Sequence, residues 1–279
     1  MDADLLPVYV HIPKTGGTSM CTALMFRYQG STRFSVMGLR GENALKAKKF
    51  QGLSARRLAR LQIAFGHQTQ DFHLRPERPI TYFATIRHPF DRVKSSYRQD
   101  RKYRKMNQLP DVSIEAFIEQ NPKRLWHYFF TKEEVEALQQ AGHDEGQIKA
   151  IAWERIDRHY AAIGLMEDLD RSICLYNHLL GLDIHEIQHL NKSAATQVAS
   201  NDRDAAHLAG LMAEDVAFYE ELVARFESQW AAFEGREEAL AKFRERKAQW
   251  NEREAHLARR IPGYTRFRKI AFEVKRKLY

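Results

Sequence analysis

Residues 6–26 lay a strand, a tight loop and a helix in immediate succession, and that order points the chain toward an α/β architecture from its first turn. Leu6-Pro7-Val8-Tyr9-Val10 is an apolar run of strand length, and Met20-Cys21-Thr22-Ala23-Leu24-Met25-Phe26 reads as a buried helix. Between them stands His11-Ile12-Pro13-Lys14-Thr15-Gly16-Gly17-Thr18-Ser19. Gly16 and Gly17 let the main chain turn sharply and approach a ligand closely. The N–H groups of such a loop and of the first helical turn point at one spot, where the helix dipole adds positive potential. The segment therefore reads as a cradle for a phosphate. Thr18 and Ser19 can cap the helix and donate to phosphate oxygens. The plainer reading is a Gly-rich turn carrying a solvated lysine.

The position of the lysine narrows the chemistry. A nucleoside triphosphate loop of the form GxxxxGK[ST] sets its lysine after the glycines and its hydroxyl on Mg²⁺. Here Lys14 precedes Gly16-Gly17, and no such motif occurs elsewhere in the chain. An ATP-dependent phosphotransferase would also need a carboxylate cluster for Mg²⁺, which the sequence does not offer.

Further strands are predicted at 61–65, ending on Gly66-His67, at 80–86, running into Arg87-His88-Pro89, and at 160–165. Proline suits the first turn of a helix that carries Phe90, Val93 and Tyr97 to about Lys105. Helices are also predicted from Asp168 to Leu180, stopped by Gly181, and from Asp204 to Phe226. Ile187–Leu190 reads as a short strand leading into Asn191-Lys192-Ser193, residues 29–60 as loop and short helix, and 113–158 as helical throughout from Ser113. Strands alternating with helices imply a mostly parallel central sheet flanked by helices, with ligands at the carboxyl ends of the strands. Lys14, His67 and Arg87 each follow a predicted strand, so they are expected to converge at one edge.

Three of these segments share a likeness. Pro13-Lys14-Thr15-Gly16-Gly17-Thr18-Ser19 resembles the 5′-phosphosulfate loop of sulfotransferases that use 3′-phosphoadenosine 5′-phosphosulfate (PAPS). Thr85-Ile86-Arg87-His88-Pro89-Phe90-Asp91-Arg92-Val93-Lys94-Ser95-Ser96-Tyr97 resembles their 3′-phosphate site, where an arginine at a strand end and a serine eight residues later share one phosphate. Arg87 offers a planar fork of donors for that purpose, with Ser95 two turns into the helix. Taken alone, Arg-x-Pro at a strand end would read as a structural salt bridge. Phe65-Gly66-His67 resembles the Gly-His of uronyl 2-O-sulfotransferases of the heparan sulfate type, where the histidine takes the acceptor's proton. Weaker likenesses lie in Gly164-Leu165-Met166-Glu167-Asp168-Leu169, in His189-Leu190-Asn191-Lys192-Ser193, and in Phe218-Tyr219-Glu220 with Phe226.

The resemblance covers roughly residues 6–230. It implies a P-loop-NTPase-like sulfotransferase fold and PAPS as co-substrate, with no metal. It implies that Lys14, Thr15, Gly16, Gly17, Thr18, Ser19, Arg87 and Ser95 hold the nucleotide and that Lys192 and Ser193 lie in a late loop closing over it. Lys14 would stabilise the leaving group and His67 would act as general base, with His11, His73 and His88 as weaker rivals. A surface or core-capping histidine is the plain alternative for His67. The implied acceptor is a hydroxyl of a polysaccharide or glycolipid, but residues 113–158 match no known segment and leave it unnamed. Animal members carry a Golgi membrane anchor, and this sequence shows none. A non-catalytic binder of nucleotides or anionic glycans on the same fold is the competing class.

Composition supports these expectations. Forty-four Lys and Arg against 36 Asp and Glu leave a net charge of +8, which calls for acidic partners. No nucleic-acid recognition motif accompanies it. One basic run is Arg33, Arg40, Lys46, Lys48, Lys49, Arg56, Arg57 and Arg60; a second is Arg92, Lys94, Arg98, Arg101, Lys102, Arg104 and Lys105. Each is either a field for a multiply phosphorylated donor and an anionic acceptor, or a solvated helix face. The two cysteines, Cys21 and Cys174, fit reduced structural thiols, and with neither signal peptide nor membrane span in view a cytoplasmic location is expected.

The catalytic domain is expected to be 1–229, with a charged helical extension over 230–279. The stripe Phe233, Leu240, Phe243, Trp250, Leu257 would pack back onto that domain, with self-association as the alternative. The tail from Arg259 to Lys269 mixes cations with aromatics; it is either a solvated terminus or a contact for an anionic membrane surface or polysaccharide.

Overall fold

A computed structural model describes residues 5–37, 42–185 and 210–261. The expected short strand at 187–190, Lys192, Ser193 and the tail beyond residue 261 lie outside the described residues. Five parallel strands form one sheet in the order β2-β3-β1-β4-β5. They are β1 (Leu6–Val10), β2 (Arg33–Val36), β3 (Ile63–Gly66), β4 (Ile80–Ile86) and β5 (Tyr160–Leu165). β1 and β3 are buried along their whole length, as unbroken apolar runs are when helices cover both faces of a parallel sheet. Val10 pairs with Gly66 on one side and Ala84 on the other, so three strands end side by side.

Helix α1 (Gly17–Arg27) follows β1 directly. The stretch 29–60, expected as loop and short helix, instead contains β2 with α2 (Glu42–Gln51) and α3 (Ala55–Ala59). β2 is only four residues long and opens on an arginine, so it carries little strand signal. That Arg33 is buried because its guanidinium donates to the carbonyls of Met25 and Tyr28, at 2.5 and 2.8 Å, where α1 ends. It is a structural cation and not part of an open basic face. Lys46 likewise donates to the Met37 carbonyl at 3.0 Å.

Helix α4 (Pro89–Met106) starts on the expected proline. Residues 113–158 are not one helix but α5 (Ile114–Gln120), a 3₁₀ turn at Leu125–Phe129, α6 (Lys132–Gln140) and α7 (Glu145–His159). Ser113 caps α5 as expected. Full capping boxes, Thr131 with Glu134 and Asp144 with Gln147, then restart α6 and α7. Those T-x-x-E and D-x-x-Q signals outweigh the apolar spacing that runs through them. Helix α8 (Leu169–Leu180) is capped by Asp168 and stopped by Gly181 in the left-handed conformation.

Helix α9 (Ala213–Ala232) runs on past Phe226, and α10 (Arg236–Arg260) packs against α8. Leu240 and Phe243 are buried there, while Lys247 pairs with Asp170 at 2.6 Å and Arg246 with Asp183 at 2.8 Å. Cys21 and Cys174 are free and buried. Among the described residues no helix is long and apolar enough to cross a membrane.

Candidate active site

The loop after β1 is held from beneath. The His11 N–H donates to the Gly66 carbonyl at 2.9 Å, extending the sheet by one residue, and the buried Thr15 hydroxyl donates to the Ile12 carbonyl at 2.8 Å. Thr15 can thus offer a ligand its main chain but not its hydroxyl proton. Lys14 sits in the left-handed region with φ 69°, a costly conformation for a residue with a Cβ and one that clusters at functional loops. Gly16, with φ 78°, takes the N-cap position of α1 and makes no side-chain cap. Thr18 and Ser19 therefore do not cap the helix, as the sequence suggested; they are the second and third residues of α1, at its open end. The backbone hydrogen bonds that tie the loop to the fold leave out the N–H groups of Gly16, Gly17 and Thr18. No acidic residue stands in the first turn of α1, so its positive end is uncompensated.

Glycine is required at position 17 by close approach. A Cβ there would lie inside the His11 ring. That ring stacks on His67, centroids 4.1 Å apart and planes 22° from parallel. His67 stands just past β3, where Gly66 adopts φ 137° against the main chain of Val36, another place with no room for a Cβ. His67 Nδ1 lies 3.2 Å from the His11 carbonyl oxygen. A carbonyl only accepts, so Nδ1 carries the proton and Nε2 keeps the free lone pair. Burial lowers the pKa of His67, partly offset by that hydrogen bond. His11 is driven well down by burial and by the neighbouring His67. Both rings are thereby biased toward the neutral form.

The Lys14 ammonium donates to Gln99 Oε1 of α4 at 2.9 Å. Gln99 lies one turn beyond Ser95 on the same helix face, so the face that bears Ser95 also steers Lys14. Burial first, then the positive fields of Arg87 and Lys102, hold Lys14 below the ordinary lysine value. Arg87 has no hydrogen-bond or ion-pair partner among the described residues. The loop, the stacked histidines and the start of α4 thus bring Lys14, His67 and Arg87 to the carboxyl edge of three adjacent strands.

The supports of this edge lie in segments that the sequence marks only by weak likeness, with no role assigned to any residue. Glu167 accepts from the His88 N–H at 2.8 Å and from the Tyr219 hydroxyl at 3.2 Å, tying the start of α4 to the β5–α8 turn and to α9. Met166 lies against Gly16. Of the rival histidines, His88 stands edge-on to Tyr219 at 5.3 Å. His73 is bound to the Tyr82 hydroxyl, near the opposite end of β4.

This arrangement can hold an anion at the loop amides and Lys14, hold another at Arg87, and accept a proton at His67 Nε2. The sequence model of the Sulfotransferase family matches residues 4–233, which includes the whole site and all five strands. No curated protein matches the chain.

Proposed function

The chain belongs to the sulfotransferase family, and from that premise we propose that it moves a sulfuryl group from PAPS to a hydroxyl of a carbohydrate, either polysaccharide or glycolipid. The observation that carries this reading is the pairing of a neutral imidazole of fixed tautomer, His67, with a proton-bearing cation, Lys14, at the ends of neighbouring strands.

In the reaction, His67 Nε2 takes the acceptor's hydroxyl proton as the oxygen attacks sulfur. The new O–S bond forms in line with the bridging S–O bond that breaks. Its electron pair goes to the phosphate oxygen of 3′-phosphoadenosine 5′-phosphate (PAP), and Lys14 neutralises the charge growing there. The amides of Gly16, Gly17 and Thr18 hold the 5′-phosphate, with Ser19 beside them. Arg87 and Ser95 hold the 3′-phosphate. Lys192 and Ser193 enter only through the family resemblance. Most of the acceleration then comes from positioning and from fixed charge.

Incubation with labelled PAPS and a panel of glycans, lipids and small phenols, scored by mass shift, tests this reading. Sulfated glycan is expected. PAP binding with no product on any hydroxyl would instead favour a non-catalytic binder. Arg87→Ala is expected to erase the preference for PAPS over adenosine 5′-phosphosulfate, a loss of about 10–100-fold in relative kcat/KM if a charge-assisted contact is removed. A preference that survives would move 3′-phosphate recognition to other residues.

A further inference from the structure

A cleft of about 350 Å³ opens between α4, α5 and the turn at Leu125–Phe129, with one wall from the segment that resembles the 3′-phosphate site and the rest from residues that match no nucleotide motif. Arg92, Ser96, Phe117, Asn121, Lys123 and Tyr128 line it. Arg92 is only 5% exposed. Its Nη1 donates to the Tyr128 hydroxyl at 2.8 Å, its guanidinium carbon lies 4.8 Å from the centre of that ring, and its Nε is buried without a partner. The Lys123 ammonium sits 4.3 Å from the centre of the same ring. One aromatic side chain thus contacts two cations by cation–π attraction.

Neither cation has a carboxylate partner among the described residues. Asp215, which also borders the cleft, is already satisfied by the Leu125 N–H at 2.5 Å and by Arg124 at 3.1 Å. Glu119 on the rim is exposed. A buried guanidinium with a free N–H and no counter-charge is costly unless an anion completes it. Burial and the neighbouring Arg92 also depress the Lys123 pKa, as expected for two uncompensated cations.

We propose that this cleft binds one oxyanion of the acceptor, a carboxylate or a sulfate ester, between Arg92 Nε and the Lys123 ammonium. The word acceptor rests on the transfer reading above; the anion site does not. Arg92 lies in the first turn of α4, whose start follows Arg87 at the end of β4, so an acidic group here would lie on the α4 side of the strand edge that carries the site. The apolar faces of Phe117, Ile118 and Pro122 leave room for a ring attached to the charge.

The test compares three probes by calorimetry on the full chain: a uronic-acid oligosaccharide, its carboxyl-reduced form, and that reduced form carrying sulfate esters. At least one anionic probe should bind about tenfold or more tightly than the neutral one, as a charge-assisted contact implies. Lys123→Ala should remove most of that preference and leave PAP affinity unchanged. The stronger anionic probe identifies the oxyanion. Equal affinities, no binding of any probe, or a preference that survives Lys123→Glu would overturn the proposal. A matching loss of PAP affinity in Lys123→Ala would do the same by making the cleft part of the donor site. Failure of the transfer reading shows separately, as absence of sulfated product on every hydroxyl acceptor, whether or not PAP binds.

Discussion

Lys14→Ala is expected to slow sulfuryl transfer by about 10²–10³-fold, the usual cost of losing one preorganised donor to developing charge, while PAP binding falls far less. The split follows from where the ammonium sits. It is fixed by Gln99 from a facing helix and by an unusual left-handed backbone, not by a carboxylate that would quench its field. The bridging oxygen of PAPS carries little charge before the S–O bond breaks and a full share afterward, so Lys14 acts mainly in the transition state. Single-turnover rates with PAPS, set beside calorimetric affinities for PAP, separate the two effects. Equal losses in both would reduce Lys14 to an electrostatic anchor.

His67→Ala is expected to fold, bind PAP as the parent does, and lose about 10²–10⁴-fold in turnover, the range for a positioned general base. Near-normal turnover would remove His67 from the mechanism. The pH profile adds an independent sign. The base works in its neutral form, so kcat/KM rises with pH through the free enzyme's His67 pKa. Burial lowers that pKa. The acid limb should therefore lie below the ordinary imidazole value of about 6.5, with more than half of the plateau activity still present at that pH. A limb centred above it would mean that another group titrates.

Much of the frame was legible because it is local. The strands Ile80–Ile86 and Tyr160–Leu165 announce themselves by β-branched and apolar runs, and the helices at Pro89 and Leu169 by their start signals. The convergence of Lys14, His67 and Arg87 was legible for a topological reason. Residues just past parallel strands share one edge once the strands are neighbours, and β3-β1-β4 are. What the pattern hid depends on partners distant in sequence. Arg33 looks like a surface cation until the end of α1 is seen to accept from it. Gln99 carries no motif and Glu167 only a weak likeness that assigns it no role, and their purpose appears only when Lys14 and the start of α4 arrive beside them. The stack of His11 on His67 joins two loops that share no spacing rule.

One pocket is expected to read a nucleotide phosphorylated at both ends of its ribose. Calorimetric titration of the folded protein with PAP and with adenosine 5′-monophosphate tests this most directly. Saturable one-to-one binding of PAP, about tenfold or more tighter than that of the monophosphate, is the predicted result. No measurable heat with PAP, or equal affinity for the two nucleotides, would contradict it.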